Sequence, residues 1–342
     1  MKMNLKAKGY FIYIGAFIMV VLLMLLTIFG WRHYVRKIEG DGFGQQAGGA
    51  LYDRHYVMIP DDADSGLWQQ IYNSARETAE QNQVYVELFA DWAAGDYSPL
   101  EYMEIAIAAQ VDGIIIKPDG TRKMSAMINQ AEAAGIPVIA VLDDDIASGR
   151  KSFVGVNSYQ LGTTYGKQIL ECVNEDTEKI TVLLNQNESG KERIFKELKE
   201  TVESELTKEQ RERVTIEPLT ISYISTFYTE DKIRELVSSE ESRPDILVCT
   251  SEIDSICAYH AMVDYNLVGN FQMIGYYQSD TMLDAIEKGT VPMAITMNAQ
   301  QIGASSVEAL EEYYDMGHVS DYHTVDLSII TQSNVQQFRE PE

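Results

Sequence analysis

The sequence has few cysteines, few histidines and no excess of positive charge, and each shortage removes a class of function. Its 342 residues include three cysteines, Cys172, Cys249 and Cys257. They are too few and too scattered for a disulfide framework or a zinc site. They read instead as buried thiols, Cys172 and Cys257 in helical segments and Cys249 closing the apolar run that starts at Ile246. The five histidines (His33, His55, His260, His318, His323) show no ligand spacing. Lysine and arginine number 27 against 52 acidic residues, a formal net charge of −25. A nucleic-acid binder needs a basic stripe to displace counterions, and none is visible. Such a surface suits a solvated, secreted domain.

Catalytic signatures are missing as well. There is no Gly-x-Ser-x-Gly elbow, no phosphate-cradling glycine-rich loop and no metalloprotease helix motif, so neither an enzyme nor a cofactor is expected. Two stretches could hold a cation. Asn185 to Gly190 has Lys196 where a calcium loop needs its bidentate glutamate, and Asp143 to Asp145 reads more simply as a turn and cap cluster. No metal is assigned.

What is present begins with an uncharged apolar run, Tyr10 to Trp31, preceded by Lys2, Lys6 and Lys8. It has the length to cross a bilayer as a helix, with Tyr10, Tyr13 and Trp31 near the interfaces. A cleaved signal peptide is the rival. The length of the run, the GWRHYVRK that stands in place of a small-x-small site, and the lack of a following cysteine to carry a lipid favour an uncleaved signal anchor. Arg32, Arg36 and Lys37 balance the N-terminal lysines, so charge barely orients the span. The expected organisation is a tail over residues 1–9, an anchor over 10–31, and a flexible stalk over 32–52 containing EGDGFGQQAGGA.

Beyond the stalk, short β-branched runs alternate with helical stretches, most clearly between Val111 and Gly162. VDGIIIKPDG is followed by a helical segment, Lys123 to Ala134, then by AGIPVIAVLDDD and SFVGVNSYQLG. The apolar runs Ile114 to Ile116, Val138 to Val141 and Phe153 to Val156 suit strands buried on both faces of a parallel sheet. The alternation continues from His55 to Met316 and predicts a doubly wound α/β fold. In such sheets the ligand crevice lies beyond the carboxyl ends of the strands, so Pro118, Asp119, Asp143, Asp144 and Asn157 should share one side.

At these residues, and again at IITQSNVQQF from Ile329 to Phe338, the chain resembles the type I periplasmic sugar-binding protein family. The resemblance implies two doubly wound, Rossmann-like lobes behind the transmembrane helix. The chain would cross between them near Asn157, Asn298 and Val325, so that residues 53–157 with 299–324 form one lobe and 158–298 with 325–338 the other. It implies an extracytoplasmic domain, with the N-terminus inside. Trp68, after Leu67, matches a stacking aromatic, though a core position would suit it equally. Ser65 stands where the family often has asparagine. Asp143 and Asp144 match an acidic position, with capping as the plain alternative, and Asn157 falls at the first crossing. Arg193 matches an arginine whose planar fork donates to ring oxygens, with a surface ion pair as the alternative. Tyr223 and Phe227 fall near an opposing aromatic, and Ser251 and Glu252 replace an Asn-Asp pair. Tyr276, Tyr277 and Gln278 stand in place of a hydroxyl-binding aspartate, and Met297, with Asn298 beside it, in place of a glutamine.

The function so implied is a membrane-anchored solute-binding protein. It would close on a small ligand, with a monosaccharide expected, and present the closed form to a sensor histidine kinase or an ABC permease. The lost donors and gained tyrosines point to a ligand less hydroxylated, larger or more aromatic than a hexose. They also fit a non-sugar ligand, or a degenerate pocket in a protein-interaction module. A repressor's effector domain would need a helix-turn-helix where this chain has its apolar run.

Overall fold

The computed structural model describes residues 52–89, 97–186, 190–222 and 226–339. The expected anchor, nearly all of the stalk, and Tyr223 lie outside them. Among the described residues no helix is long and apolar enough to cross a membrane.

The described chain folds into two α/β lobes, each built on a six-stranded sheet. Lobe 1 contains β1 (Arg54–Ile59), β2 (Val84–Leu88), β3 (Gly113–Ile116), β4 (Val138–Val141), β5 (Ser152–Gly155) and β11 (Tyr322–Thr324), in the order β11-β5-β4-β3-β1-β2. All of its pairings are parallel. Its helices are α1 (Gly66–Gln81), α2 (Pro99–Ala109), α3 (Arg122–Ala133) and α10 (Ala299–Met316). Lobe 2 contains β6 (Lys179–Asn185), β7 (Thr215–Ile221), β8 (Ile246–Val248), β9 (Gln272–Tyr276), β10 (Met293–Met297) and β12 (Leu327–Thr331), in the order β12-β10-β9-β8-β6-β7. Only β12 runs antiparallel, against β10. Around this sheet lie α4 (Ser158–Cys172), α5 (Lys191–Glu205), α6 (Lys208–Arg213), α7 (Thr226–Ser238), α8 (Glu252–Asp264) and α9 (Asp280–Glu287). The chain passes between lobes after β5, after β10 and after β11.

β3 and β4 are buried at every position, because helices cover both faces of the sheet and water reaches neither. Glycines set the closest helix contacts. A Cβ on Gly303 of α10 would stand 2.1 Å from the Ile71 carbonyl of α1, and one on Gly162 of α4 would stand 2.5 Å from the Ile194 carbonyl of α5. The three cysteines are buried and unbridged. Burial pushes the Cys172 thiol up to about 11, with Glu171 adding to the shift.

Three features were not read from the sequence. Helix α6 is started by a capping box in which Thr207 and Gln210 satisfy each other's backbone N–H groups. Strands β11 and β12 close the two sheets at one edge. β11 is three exposed or half-exposed residues with no apolar run for periodicity to detect.

Candidate functional site

The loops at the carboxyl ends of the strands enclose a cavity of about 550 Å³ lined by residues of both lobes. The turn after β4 forms its acidic wall. Leu142 takes a left-handed backbone, with φ at 66°, and the Asp143 N–H donates to the Val141 carbonyl at 2.7 Å, so Asp143, Asp144 and Asp145 face the opening. Asp143 accepts from the Asp144 N–H at 2.9 Å and Asp145 from the Ser125 hydroxyl at 2.6 Å. Asp144 takes both arms of Arg150, Nη2 at 3.0 Å and Nε closer still, and the Tyr322 hydroxyl at 3.1 Å. Arg150 also lies over the Tyr322 ring, 5.1 Å from its centroid. Burial works against the guanidinium's charge, yet Asp144 holds its pKa above the ordinary value. Asp144 is therefore committed to Arg150 as well as facing the cavity.

Asn157 also lines the cavity, and its side chain caps α4 by accepting from the Tyr159 N–H at 2.8 Å. Arg193 projects from the first turn of α5 on the other lobe, and Arg122 from the first turn of α3. Both are exposed at the rim, and among the described residues neither guanidinium has an ion-pair partner. Tyr276, Thr250 and Met297 complete the lobe 2 wall. The cavity thus offers carboxylates, an amide and guanidinium donors to hydroxyl groups, with an aromatic ring alongside.

Other expected site residues meet one another directly across the lobes. Ser65 holds the N-cap position of α1 but makes no cap bond; its hydroxyl donates to Glu252 at 2.8 Å. Burial raises the Glu252 pKa above the ordinary carboxylate value, Asp62 adds to the rise, and the Ser65 bond offsets only part of it. The Tyr277 ring approaches within 3.8 Å of the place a Cβ on Gly66 would take, and Gln278 donates to Gln70 at 3.4 Å. Gln278, Met297 and Asn298 line a second cavity of about 370 Å³, with Gln70 and Arg339. Asn298 caps α10 by accepting from the Gln301 N–H at 3.0 Å, and Ser251 caps α8 by accepting from the Asp254 N–H at 3.1 Å.

Trp68 is 2% exposed in the core, beside buried Leu67. Its indole N–H donates to Asp61 at 2.6 Å, and Asp61 pairs with Lys117 at 2.5 Å. Neither Trp68 nor Leu67 lines the larger cavity. Phe227 is 74% exposed at the start of α7 and lines neither cavity. Asp143, Asp144, Asn157, Arg193 and Met297 are therefore the expected residues brought together at the larger cavity. Sequence reasoning did not name Arg122, Thr250 and Tyr322 among the lining residues; of the three residues it named at the end of β9 (Tyr276, Tyr277 and Gln278), Tyr276 lines the larger cavity. Strand alternation carried the signal for the tyrosines: Tyr276 is the last residue of β9, and its neighbour must turn elsewhere. Among the described residues no group of three or more His, Cys, Asp or Glu could hold a metal ion.

Comparison with known proteins places this geometry. A family model described as a periplasmic binding protein domain matches residues 56–317. No curated protein matches the sequence. Among solved structures, the chain is similar to GanP, a glucose-galactose binding protein from Geobacillus stearothermophilus, with a TM-score of 0.72 and 19% identity over 82% of this chain and 98% of that one. It is similar to a chain of the XylFII-LytSN complex, with a TM-score of 0.68 and 21% identity over 82% of this chain and 98% of that one. It is also similar to a solute-binding protein of an ABC transporter from Burkholderia graminis in complex with D-arabinose, with a TM-score of 0.72 and 14% identity over 86% of this chain and all 100% of that one. At these identities the structural likeness speaks to the fold, and the family match covers most of the chain. This protein belongs to the periplasmic binding protein domain family and has its type I fold, two α/β lobes joined by three crossings.

Proposed function

We propose that this protein is an extracytoplasmic solute receptor, tethered by its N-terminal apolar run, that closes its lobes on a monosaccharide and presents the closed form to a membrane partner. The observation that carries this reading is the cavity of about 550 Å³ to which lobe 1 contributes Asp143 and Asn157 and lobe 2 contributes Arg193 and Tyr276. A ligand that bonds to both walls stabilises the closed arrangement over the open one by its differential affinity, and that population shift is the signal. The crossings after β5, β10 and β11 are the places where hinge motion would concentrate.

Two of the similar proteins, a glucose-galactose binding protein and a solute-binding protein in complex with D-arabinose, support the ligand class. The XylFII-LytSN complex supports a protein partner for this fold. We take that partner to be a sensor histidine kinase or an ABC permease. A second reading rests on the direct Ser65–Glu252 contact and on the commitment of Asp144 to Arg150: the pocket is degenerate and the domain is a protein-interaction module.

Thermal melting of the full chain against pentoses, hexoses and amino sugars separates the two. A sugar that binds only the folded state at a hundredfold excess over its dissociation constant adds about 2.7 kcal/mol of stability. The receptor reading expects such a shift from at least one sugar and its loss in Arg193→Ala. No shift from any sugar contradicts it and favours the interaction module.

A further inference from the structure

Most arginines of this protein already have partners. Ten stand among the described residues. Arg54, Arg150, Arg234 and Arg339 form ion pairs, while Arg211, Arg213 and Arg243 donate to backbone carbonyls. Arg76, Arg122 and Arg193 have neither kind of partner among the described residues. Two of these three line the larger cavity, Arg122 from lobe 1 and Arg193 from lobe 2. Carboxylates are plentiful, at 52 against 27 basic residues, so these two do not lack partners because the chain is short of acids.

The carboxylates of the same cavity are in a different position. Asp144 holds Arg150 and accepts from Tyr322. Asp145 accepts from the Ser125 hydroxyl and Asp143 from the Asp144 N–H, and these two side chains belong to residues only 8% and 7% exposed. Arg150 offsets one of the three aspartates, and Arg122 and Arg193 offset the other two, so this wall is near neutral in a chain of −25. A cation entering the cavity meets carboxylates whose lone pairs are partly spent. An anion meets two guanidinia whose donors are unused. The planar fork of a guanidinium matches the two oxygens of a carboxylate, and such charge-assisted bonds are the stronger kind. Arg122 is also free of structural duty, because Thr121 caps its helix by accepting from the Met124 N–H at 3.2 Å.

We infer that the ligand is an acidic monosaccharide, a hexuronate, whose carboxylate is bound by Arg122 while Asp143 accepts from its hydroxyls and Arg193 closes from lobe 2. Arg122 is then the residue that selects an acid over a neutral sugar. This inference rests on the reading of the cleft as a sugar site and narrows it.

Titration calorimetry on the full chain at pH 7 tests this, with D-glucose, D-galactose, D-glucuronate, D-galacturonate and D-glucosamine as ligands. At least one uronate should bind about tenfold or more tightly than its neutral counterpart, the scale of one hydrogen bond to a charged group. Arg122→Gln should shrink that ratio toward one. Arg122 is exposed and its helix keeps the Thr121 cap, and the wild-type comparison stands without the variant. A neutral sugar bound as tightly as its uronate overturns the inference. So does D-glucosamine bound more tightly than D-glucuronate, or a uronate preference that survives Arg122→Gln. Each of these results leaves the sugar reading standing. Binding of none of the five overturns the inference as well, and the pentoses of the melting panel then decide the sugar reading.

Discussion

Glu252, which accepts from the Ser65 hydroxyl across the lobes, is expected to make stability depend on pH. Its carboxyl is buried, so its pKa is raised in the folded protein, and the ionised form is the costly one. The sign follows from linkage: the contribution to stability is fully present below the unfolded value and is lost as pH rises through the raised, folded value. Glu252→Gln keeps an oxygen for the Ser65 hydroxyl and carries no charge. Its melting point relative to the wild type should therefore rise between pH 4 and pH 7, and melting curves at the two pH values check this. A difference that does not change with pH would refute it. Arg150 and Asp144 form a second test at this scale, because both side chains are almost wholly buried, at 6% and 12% exposure. Arg150→Met leaves a carboxylate with the Tyr322 hydroxyl but no cation, and should cost about 3 kcal/mol in denaturant unfolding. Adding Asp144→Asn removes the stranded charge and should recover part of that loss.

Among the elements, the helix pairs depend on glycine for their spacing. Alanine in a helix interior normally stabilises by about 1 kcal/mol relative to glycine. Gly303→Ala should do the opposite, because its Cβ would stand 2.1 Å from the Ile71 carbonyl, and backbone cannot move aside cheaply. A loss of about 1–3 kcal/mol in denaturant unfolding is expected, with α1 displaced from α10. The contrast is Gly135, where an added Cβ would meet nothing within 4 Å but φ is 84°, so alanine there is strained by the backbone alone.

These elements also show what was legible in the sequence. Runs such as GIII and VIAV declare themselves because a strand covered on both faces must be apolar throughout. β11, with the exposed sequence YHT, is held by its neighbour β5 and carries no such pattern. Positions in the loops were legible and contacts were not. Asp143, Asn157 and Arg193 face the larger cavity. Ser65 and Glu252 satisfy each other across the lobes, and no single stretch of sequence encodes that meeting. Trp68 could equally have been a ligand platform or a core residue, and its indole bond to Asp61 seats it in the core.

At the scale of the whole molecule, the alternating pattern from His55 onward gave the doubly wound α/β class, since short buried strands and amphipathic helices have few other ways to hide their apolar surfaces, and the family resemblance gave the two lobes. The charge of −25 bears on partners more than on fold. For the partner proposed above it favours a basic docking face, so association measured at rising salt should weaken.

The central claim is that a small solute is held between the lobes at the larger cavity. Hydrogen exchange of the full chain, with and without whichever sugar raises its melting point, tests that most directly. The account predicts slowed exchange in both walls at once, at residues 142–147 of lobe 1 and 190–194 of lobe 2, with little change in edge strands β2 and β7. Protection confined to one lobe, or slowed exchange only at surfaces away from these segments, would contradict it.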